Sequence, residues 1–149
     1  MKKISYEEFS ERLKHGEKNF NDLIFEDMNL RGFNLSRLDF SSSNFINVDF
    51  SNVDFTDSNL ENCLLDDCNM ENAIFINSNL KKASMRRVNL QNANIKGAKL
   101  YAAVLENAIL DKGVEVAENV TVRGTVDNPV VLKKGEKVTE DRIQWKFYL

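Results

Sequence analysis

Residues 40–65 read FSSSNFINVDFSNVDFTDSNLENCLL and place a large apolar residue at every fifth position. The same spacing extends without a gap from Phe25 to Leu110. From Ser43 onward the residue two places before each of these positions is Ser, Cys, Ala or Val. A period of five fits neither the 3.6-residue α-helix nor the two-residue strand. The spacing therefore indicates a solenoid, in which stacked units share one continuous core.

The repeated unit resembles that of the pentapeptide repeat family, which has a small residue, a variable one, Leu or Phe, and two polar residues. One such unit is Ala93-Asn94-Ile95-Lys96-Gly97. The resemblance implies an all-β solenoid, a right-handed quadrilateral β-helix in which four pentapeptides make one turn. Residues 20 apart then lie above one another at the strand spacing of about 4.8 Å.

The charged residues and asparagines fit this 20-residue stacking. Opposite charges fall above one another in four pairs, Glu61 and Lys81, Asp66 and Arg86, Asp67 and Arg87, and Arg86 and Glu106. Opposite charges at strand spacing contribute from a few tenths of a kcal/mol to about 1 kcal/mol each. Asparagines form columns at the same spacing, Asn52 with Asn72 and Asn92, and Asn69 with Asn89. The register of four repeats per turn therefore predicts ion pairs and amide ladders between coils.

Residues 1–16 are predicted to form an N-terminal capping helix. Ser5 and Glu8 make a capping box, and Ile4 and Phe9 occupy the positions of a hydrophobic staple. Its apolar face would cover the open first coil, or would bind a partner instead. The first coil itself is atypical because large residues occupy its small position, namely Leu23, Met28, Phe33 and Leu38.

The repeat β-helix is assigned to residues 17–112, and a different composition follows. Residues 113–149 are rich in Val, which favours strands, and contain turn signals such as Asp127-Asn128-Pro129. This segment is predicted to be a β cap or a dimerisation segment. Its last part, residues 139–149, reads equally as a helix or as a strand with alternating apolar residues.

Composition sets limits on function. The net charge of −3 argues against a direct nucleic-acid binder held by bulk positive charge. The start of the chain has no apolar run typical of a signal sequence, and no segment is suited to span a membrane, so a cytoplasmic protein is expected. Cys63 and Cys68 are interpreted as core filler, since the sole histidine, His15, lies far away in sequence. No metal and no cofactor is expected.

No catalytic constellation is recognisable, and the chain is predicted not to be an enzyme. The repeats contain neither histidine nor a Gly-rich phosphate loop. Carboxylates on a convex rod stay solvated, so nothing shifts their pKa for acid or base catalysis.

Charge is segregated along the repeats. Eight acids and no bases lie between Asp39 and Glu71, and six bases and no acids lie between Lys81 and Lys99. The resemblance suggests a role for the acids, because quinolone-resistance members of the family present an acidic rod that binds type II topoisomerases in place of DNA. The acidic candidate contact residues are Asp39, Asp49, Asp54, Asp57 and Glu71. The leading hypothesis is a non-catalytic protein-binding solenoid and DNA mimic that inhibits a DNA-processing enzyme.

An apolar pair competes with the acidic surface. Ile74 and Ile76 flank the inward Phe75 and are expected to point outward, which is typical of a protein contact. The alternative function is therefore a structural or adaptor module that uses these residues or the C-terminal tail, the latter also in a homodimer. A phage-like inhibitor of a nuclease or CRISPR complex is a further alternative for the acidic coils.

Overall fold

A computed structural model describes residues 1–111, 120–124, 129–133, 135 and 137. The elements are, in order, β1 (Lys2–Lys3), α1 (Tyr6–Lys14), β2 (Leu23–Glu26), β3 (Asn44–Ile46), β4 (Val120–Gly124) and β5 (Pro129–Leu132). The first three strands form a parallel sheet in the order β1-β2-β3, and β4 pairs antiparallel with β5. Outside these strands, isolated parallel β-bridges join each side of a coil to the same side of the next coil.

The coils stack in the predicted 20-residue register. The bridges join residues 20 apart, as in Asn29 with Asp49 and Asp49 with Asn69. Inward residues donate their backbone N–H to the carbonyl 19 residues later, in the coil above, for example from Phe55 to Ile74 at 2.7 Å. Four pentapeptides therefore complete one coil of a β-helix solenoid, and the prediction is confirmed. The right-handed sense stays a prediction.

Side chains at every fifth position fill the centre of the stack. They are buried from Phe25 to Leu110, apart from the half-buried Ile95. Phe20 continues the spacing and is fully buried, so the core begins one repeat earlier than the sequence analysis placed it. Small residues two places earlier lie inside as well, as predicted, apart from the half-buried Ala93. The hydroxyl of Ser43 donates to the carbonyl of Phe20 at 2.9 Å.

The corner of each repeat requires a left-handed backbone. Every fifth residue from Asp22 to Asn107 has positive φ, and the non-glycine members lie between 52 and 63°. Asn, Asp and Gly tolerate this conformation better than other residues, which explains their frequency at that position. The Asn52, Asn72 and Asn92 column arises here, because all three residues are corner residues.

The N-terminal segment closes the lower end of the stack. Ser5 caps α1 by accepting a hydrogen bond from the backbone N–H of Glu8 at 3.0 Å, as predicted. Ile4 and Phe9 are fully buried, so the apolar face of the helix covers the core. The short strand β1 was not predicted, and it extends the sheet by pairing with β2. The large residues of the first coil fit beneath the cap, where only Phe33 is left half-buried.

The Val-rich segment is described only in part. β4 and β5 form a hairpin whose register shifts between Thr121 and Arg123. Strands were predicted here. The assignments of residues 139–149 to a helix, a strand, a cap or a dimer contact lie outside the described residues.

Candidate functional site

Two adjoining sides of the coil carry most of the predicted contact residues. The Asp49 side consists of residues 29–32, 49–52, 69–72 and 89–92, and the Ile74 side consists of residues 34–37, 54–57, 74–77 and 94–97. The 20-residue register brings Asp49 and Glu71 onto the first and Asp54, Asp57, Ile74 and Ile76 onto the second. Asp39 lies on another side of the coil.

Three of the acids have a structural task that sequence reasoning missed. One carboxylate oxygen each of Asp39, Asp49 and Asp54 accepts the backbone N–H two residues later, at 2.8–2.9 Å. Asparagine does the same in other repeats, as Asn59 does for Glu61 at 3.1 Å. The recurrence of Asn or Asp just before the inward residue was the available signal. The turn requires a side-chain oxygen that accepts a hydrogen bond at this position, but it does not require a negative charge.

Ion pairs between coils form at most of the predicted positions. Arg87 binds Asp67 with two hydrogen bonds of 2.7 and 2.9 Å, and Arg86 lies 3.8 Å from Asp66 and 3.5 Å from Glu106. The hydrogen bond from Arg87 lowers the pKa of Asp67, although desolvation opposes the effect.

The predicted pair of Glu61 with Lys81 was wrong. Within the described residues, Glu61 instead accepts a hydrogen bond from the amide of Asn79 at 3.1 Å, and no ion pair joins it to Lys81. One further ion pair was not predicted. Arg37 lies 4.0 Å from Asp57, which comes 20 residues later in the chain and lies in the coil above. Asp57, one of the acidic candidate contact residues, is therefore weakly paired.

Five acids between residues 39 and 71 form no ion pair with any residue in the described part of the chain. These are Asp39, Asp49, Asp54, Glu61 and Glu71. All five residues are half-buried. They span 32 residues, which at 20 residues per coil is roughly 8 Å of the solenoid axis. Duplex DNA carries about five phosphate charges over that length.

The outward apolar residues differ in exposure. Ile74 and Ile76 are half-buried, whereas Leu64 and Ile46 are exposed by 47% and 41%. Leu64 and Ile46 belong to the side of the coil that contains Asp66 and its arginine partner. The most exposed branched aliphatic side chains of the described coils therefore lie away from the Ile74 side.

The cysteines are buried in the core, in agreement with their interpretation as filler. The thiol of Cys63 lies 3.0 Å from the carbonyl of Phe40, and burial raises the pKa of both thiols to about 12.

Because the thiolate is the reactive form, we expect neither Cys63 nor Cys68 to be alkylated by iodoacetamide at pH 8 in the native protein. Mass spectrometry should show both modified in denaturant, and native labelling within minutes would contradict this prediction.

The described surface offers little for small-molecule chemistry. A shallow groove between Asp27, Asn47 and Asp67 is partly closed by the hydrogen bond from Asn47 to Asp27 at 2.7 Å. Residues 1–111 and the described parts beyond them contain no group of three or more His, Cys, Asp or Glu side chains arranged to hold a metal ion. The helix found among these residues is too short and too polar to cross a membrane.

Comparison with known proteins agrees with this architecture. A pentapeptide repeat protein from the thylakoid lumen of Arabidopsis thaliana superposes with a TM-score of 0.61 at 17% identity, over 66% of this chain and 68% of that one. QnrB1, a plasmid-mediated fluoroquinolone resistance protein, superposes in a trypsin-treated form with a TM-score of 0.60 at 22% identity, over 74% of this chain. This chain spans about half of QnrB1, 51% of its length.

These structural likenesses concern the fold. A search of curated proteins gives no match to the sequence. The family model for the pentapeptide repeat region matches residues 38–113, which is half of the chain. The chain therefore belongs to the pentapeptide repeat family.

Proposed function

We propose that this chain is a non-catalytic protein-binding solenoid whose acidic coils occupy the DNA-binding surface of a DNA-processing enzyme. The observation that carries the proposal is a set of five carboxylates between Asp39 and Glu71 that form no ion pair with the residues that the structure describes. Their number per length of axis is close to that of duplex phosphates. The fold likeness to QnrB1 supports a type II topoisomerase as the first target to test.

The charge of Asp49 and Asp54 favours a binding role over a purely structural one. Asparagine caps the same turn at Asn69 and Asn34, with similar distances of 3.1 Å. An aspartate in this position therefore adds a negative charge that the turn does not need. The charge is free to interact with a basic surface, where it would increase the association rate and the specificity of binding.

Inhibition of DNA gyrase supercoiling tests the proposal. The site variant carries Asp49→Asn, Asp54→Asn and Glu71→Gln, which removes three charges while the Asn residues keep their turns. We expect its inhibitory concentration to be about 10–100-fold higher than that of the wild type. A fivefold increase in salt should also weaken wild-type inhibition steeply, because an electrostatic contact is screened.

A matched control removes the same charge elsewhere. Glu7→Gln, Glu11→Gln and Asp22→Asn lie on α1 and at the first corner, where all three side chains are exposed. This control should inhibit like the wild type. Equal inhibition by the site variant would exclude the acidic coils as the contact. If the wild type leaves gyrase unaffected, the same comparison is repeated with a nuclease or a CRISPR complex.

A structural or adaptor module is the second candidate. The exposure of Leu64 and Ile46 on neighbouring coils favours it, because adjacent apolar side chains on a polar rod suit a protein contact. Binding through these residues would change little with salt, in contrast to an acidic contact. A Leu64→Ser variant that loses partner binding at every salt concentration would support this candidate over DNA mimicry.

A further inference from the structure

Over residues 54–57, 74–77 and 94–97 of the Ile74 side, the charge changes sign along the solenoid axis. Its central coil presents Ile74 and Ile76, both half-buried. The coil below presents Asp54 and Asp57, and the coil above presents Lys96. An apolar centre is thus flanked by negative charge on one side and by positive charge on the other.

Such a strip is complementary in charge to the same strip of a second copy whose solenoid axis points in the opposite direction. Consider a two-fold axis that lies in the contact plane, runs perpendicular to the solenoid axis and passes through the central coil. It reverses the solenoid direction and keeps the lateral position of each residue. It places Ile74 opposite the partner's Ile74 and the acidic coil opposite the partner's basic coil. Each acid–base contact then occurs twice, as in any isologous interface.

We propose that this side is a docking surface for a second copy of the chain, packed antiparallel and side by side. A parallel arrangement would place acids opposite acids, which is unfavourable. Charge complementarity selects a second copy as the occupant, because the strip carries both signs at equal distances from one apolar pair. The contact is formed by residues 54–57, 74–77 and 94–97 and goes beyond the proposed inhibitory function.

Within the contact, Asp57 faces the partner's Gly97, whose neighbour Lys96 provides the opposite charge. Asp57 and Lys96 are both exposed, and the ion pair of Asp57 within the described part of the chain is the 4.0 Å contact with Arg37. The side chain of Asn77 fills the space where a Cβ of Gly97 would lie, so Lys96, next to it in the chain, is the group that meets the incoming carboxylate. Three coils span about 14 Å, so the buried area is below the roughly 800 Å² per partner of a standard interface. The dimer is therefore weak and forms at high concentration.

Sedimentation equilibrium from 10 µM to 1 mM tests the proposal with two charge reversals. Asp57→Lys is compatible with the corner backbone, since Lys82 occupies the equivalent position with a φ of 59°. Lys96→Glu is equally compatible, because Glu71 holds the same place in its repeat. We expect the dissociation constant of each variant alone to be about tenfold higher than that of the wild type, since both symmetric contacts become repulsive.

An equimolar mixture of the two variants decides the geometry. In an antiparallel heterodimer the unchanged Asp57 of one variant meets the unchanged Lys96 of the other. The two substituted side chains also meet each other with opposite charges, so both contacts become attractive again. Association close to the wild-type level in the mixture confirms the proposal and also shows that both variants are folded. A wild-type protein that stays monomeric at 1 mM, or a mixture as weak as its components, overturns it. Gyrase inhibition is tested with substitutions at Asp49, Asp54 and Glu71, and dimerisation with substitutions at Asp57 and Lys96, so each proposal has its own variants and its own measurement.

Discussion

Phe75→Ala is expected to lower the free energy of unfolding by about 3–5 kcal/mol, because it leaves a cavity in the centre of the stack. The side chain of Phe75 is fully buried, and its ring lies parallel to that of Phe55 at 5.1 Å between centroids with an interplanar angle of 12°. The wall around it is held by intercoil hydrogen bonds, such as the 2.7 Å bond from Phe75 N–H to the carbonyl of Asn94. The coils therefore have little freedom to collapse into the vacant space.

Denaturant unfolding followed by circular dichroism measures this effect. Phe33→Ala is the matched control. Phe33 is half-buried and packs against the core, so the space left by its side chain is accessible to solvent. We expect the control to cost less than half as much as Phe75→Ala. Equal losses for both variants would show that the five-residue spacing does not determine which side chains carry the stability of the core.

The repeat geometry could be predicted from the sequence because its determinants are local and recur. The five-residue spacing defines the inward side chains, and the charge pairs at 20 residues, such as Asp67 with Arg87, report the number of repeats per coil. One recurrent signal was nevertheless missed. An Asn or Asp that directly precedes an inward residue caps a turn, as Asp39 and Asp54 do, so part of the acidic pattern arises from the backbone.

The edges of the array were harder to predict than its centre. β1 has only two residues, and its pairing depends on where the chain returns after α1. Such long-range placement leaves no periodic signal in the sequence. Side-chain partners were hard to predict for a similar reason, since Lys81 and Asn79 both lie within reach of Glu61 and only the folded geometry selects the amide.

The contact residues could be located in the fold but not ranked by function. The register correctly groups Asp54 with Ile74 on one side and Asp49 with Glu71 on the next. Whether a carboxylate is available depends on rotamers and neighbours, as the pairing of Asp57 with Arg37 shows. The choice between an acidic and an apolar contact therefore depends on binding experiments with matched variants.

Phe9→Ala is expected to cost about 3–5 kcal/mol and to expose the first coil. Phe9 is the fully buried residue of α1, and its ring lies within 4.9 Å of Phe20, 5.2 Å of Phe25 and 6.2 Å of Phe40 between centroids. If α1 is a cap, the free energy of unfolding depends on these contacts. If α1 serves mainly to bind a partner, the isolated protein should tolerate the substitution.

Hydrogen exchange shows where the stability is lost. In a solenoid each repeat contacts only its neighbours, so a damaged cap should loosen the adjacent coil before the distant ones. We expect amide protection to fall strongly at Leu30 and Leu35, which donate to the second coil, and little at Leu90. Tyr6→Ala is the control, because Tyr6 is 43% exposed on the same helix. A uniform loss of protection along the array would instead indicate that the solenoid unfolds as a single cooperative unit whose stability depends on α1.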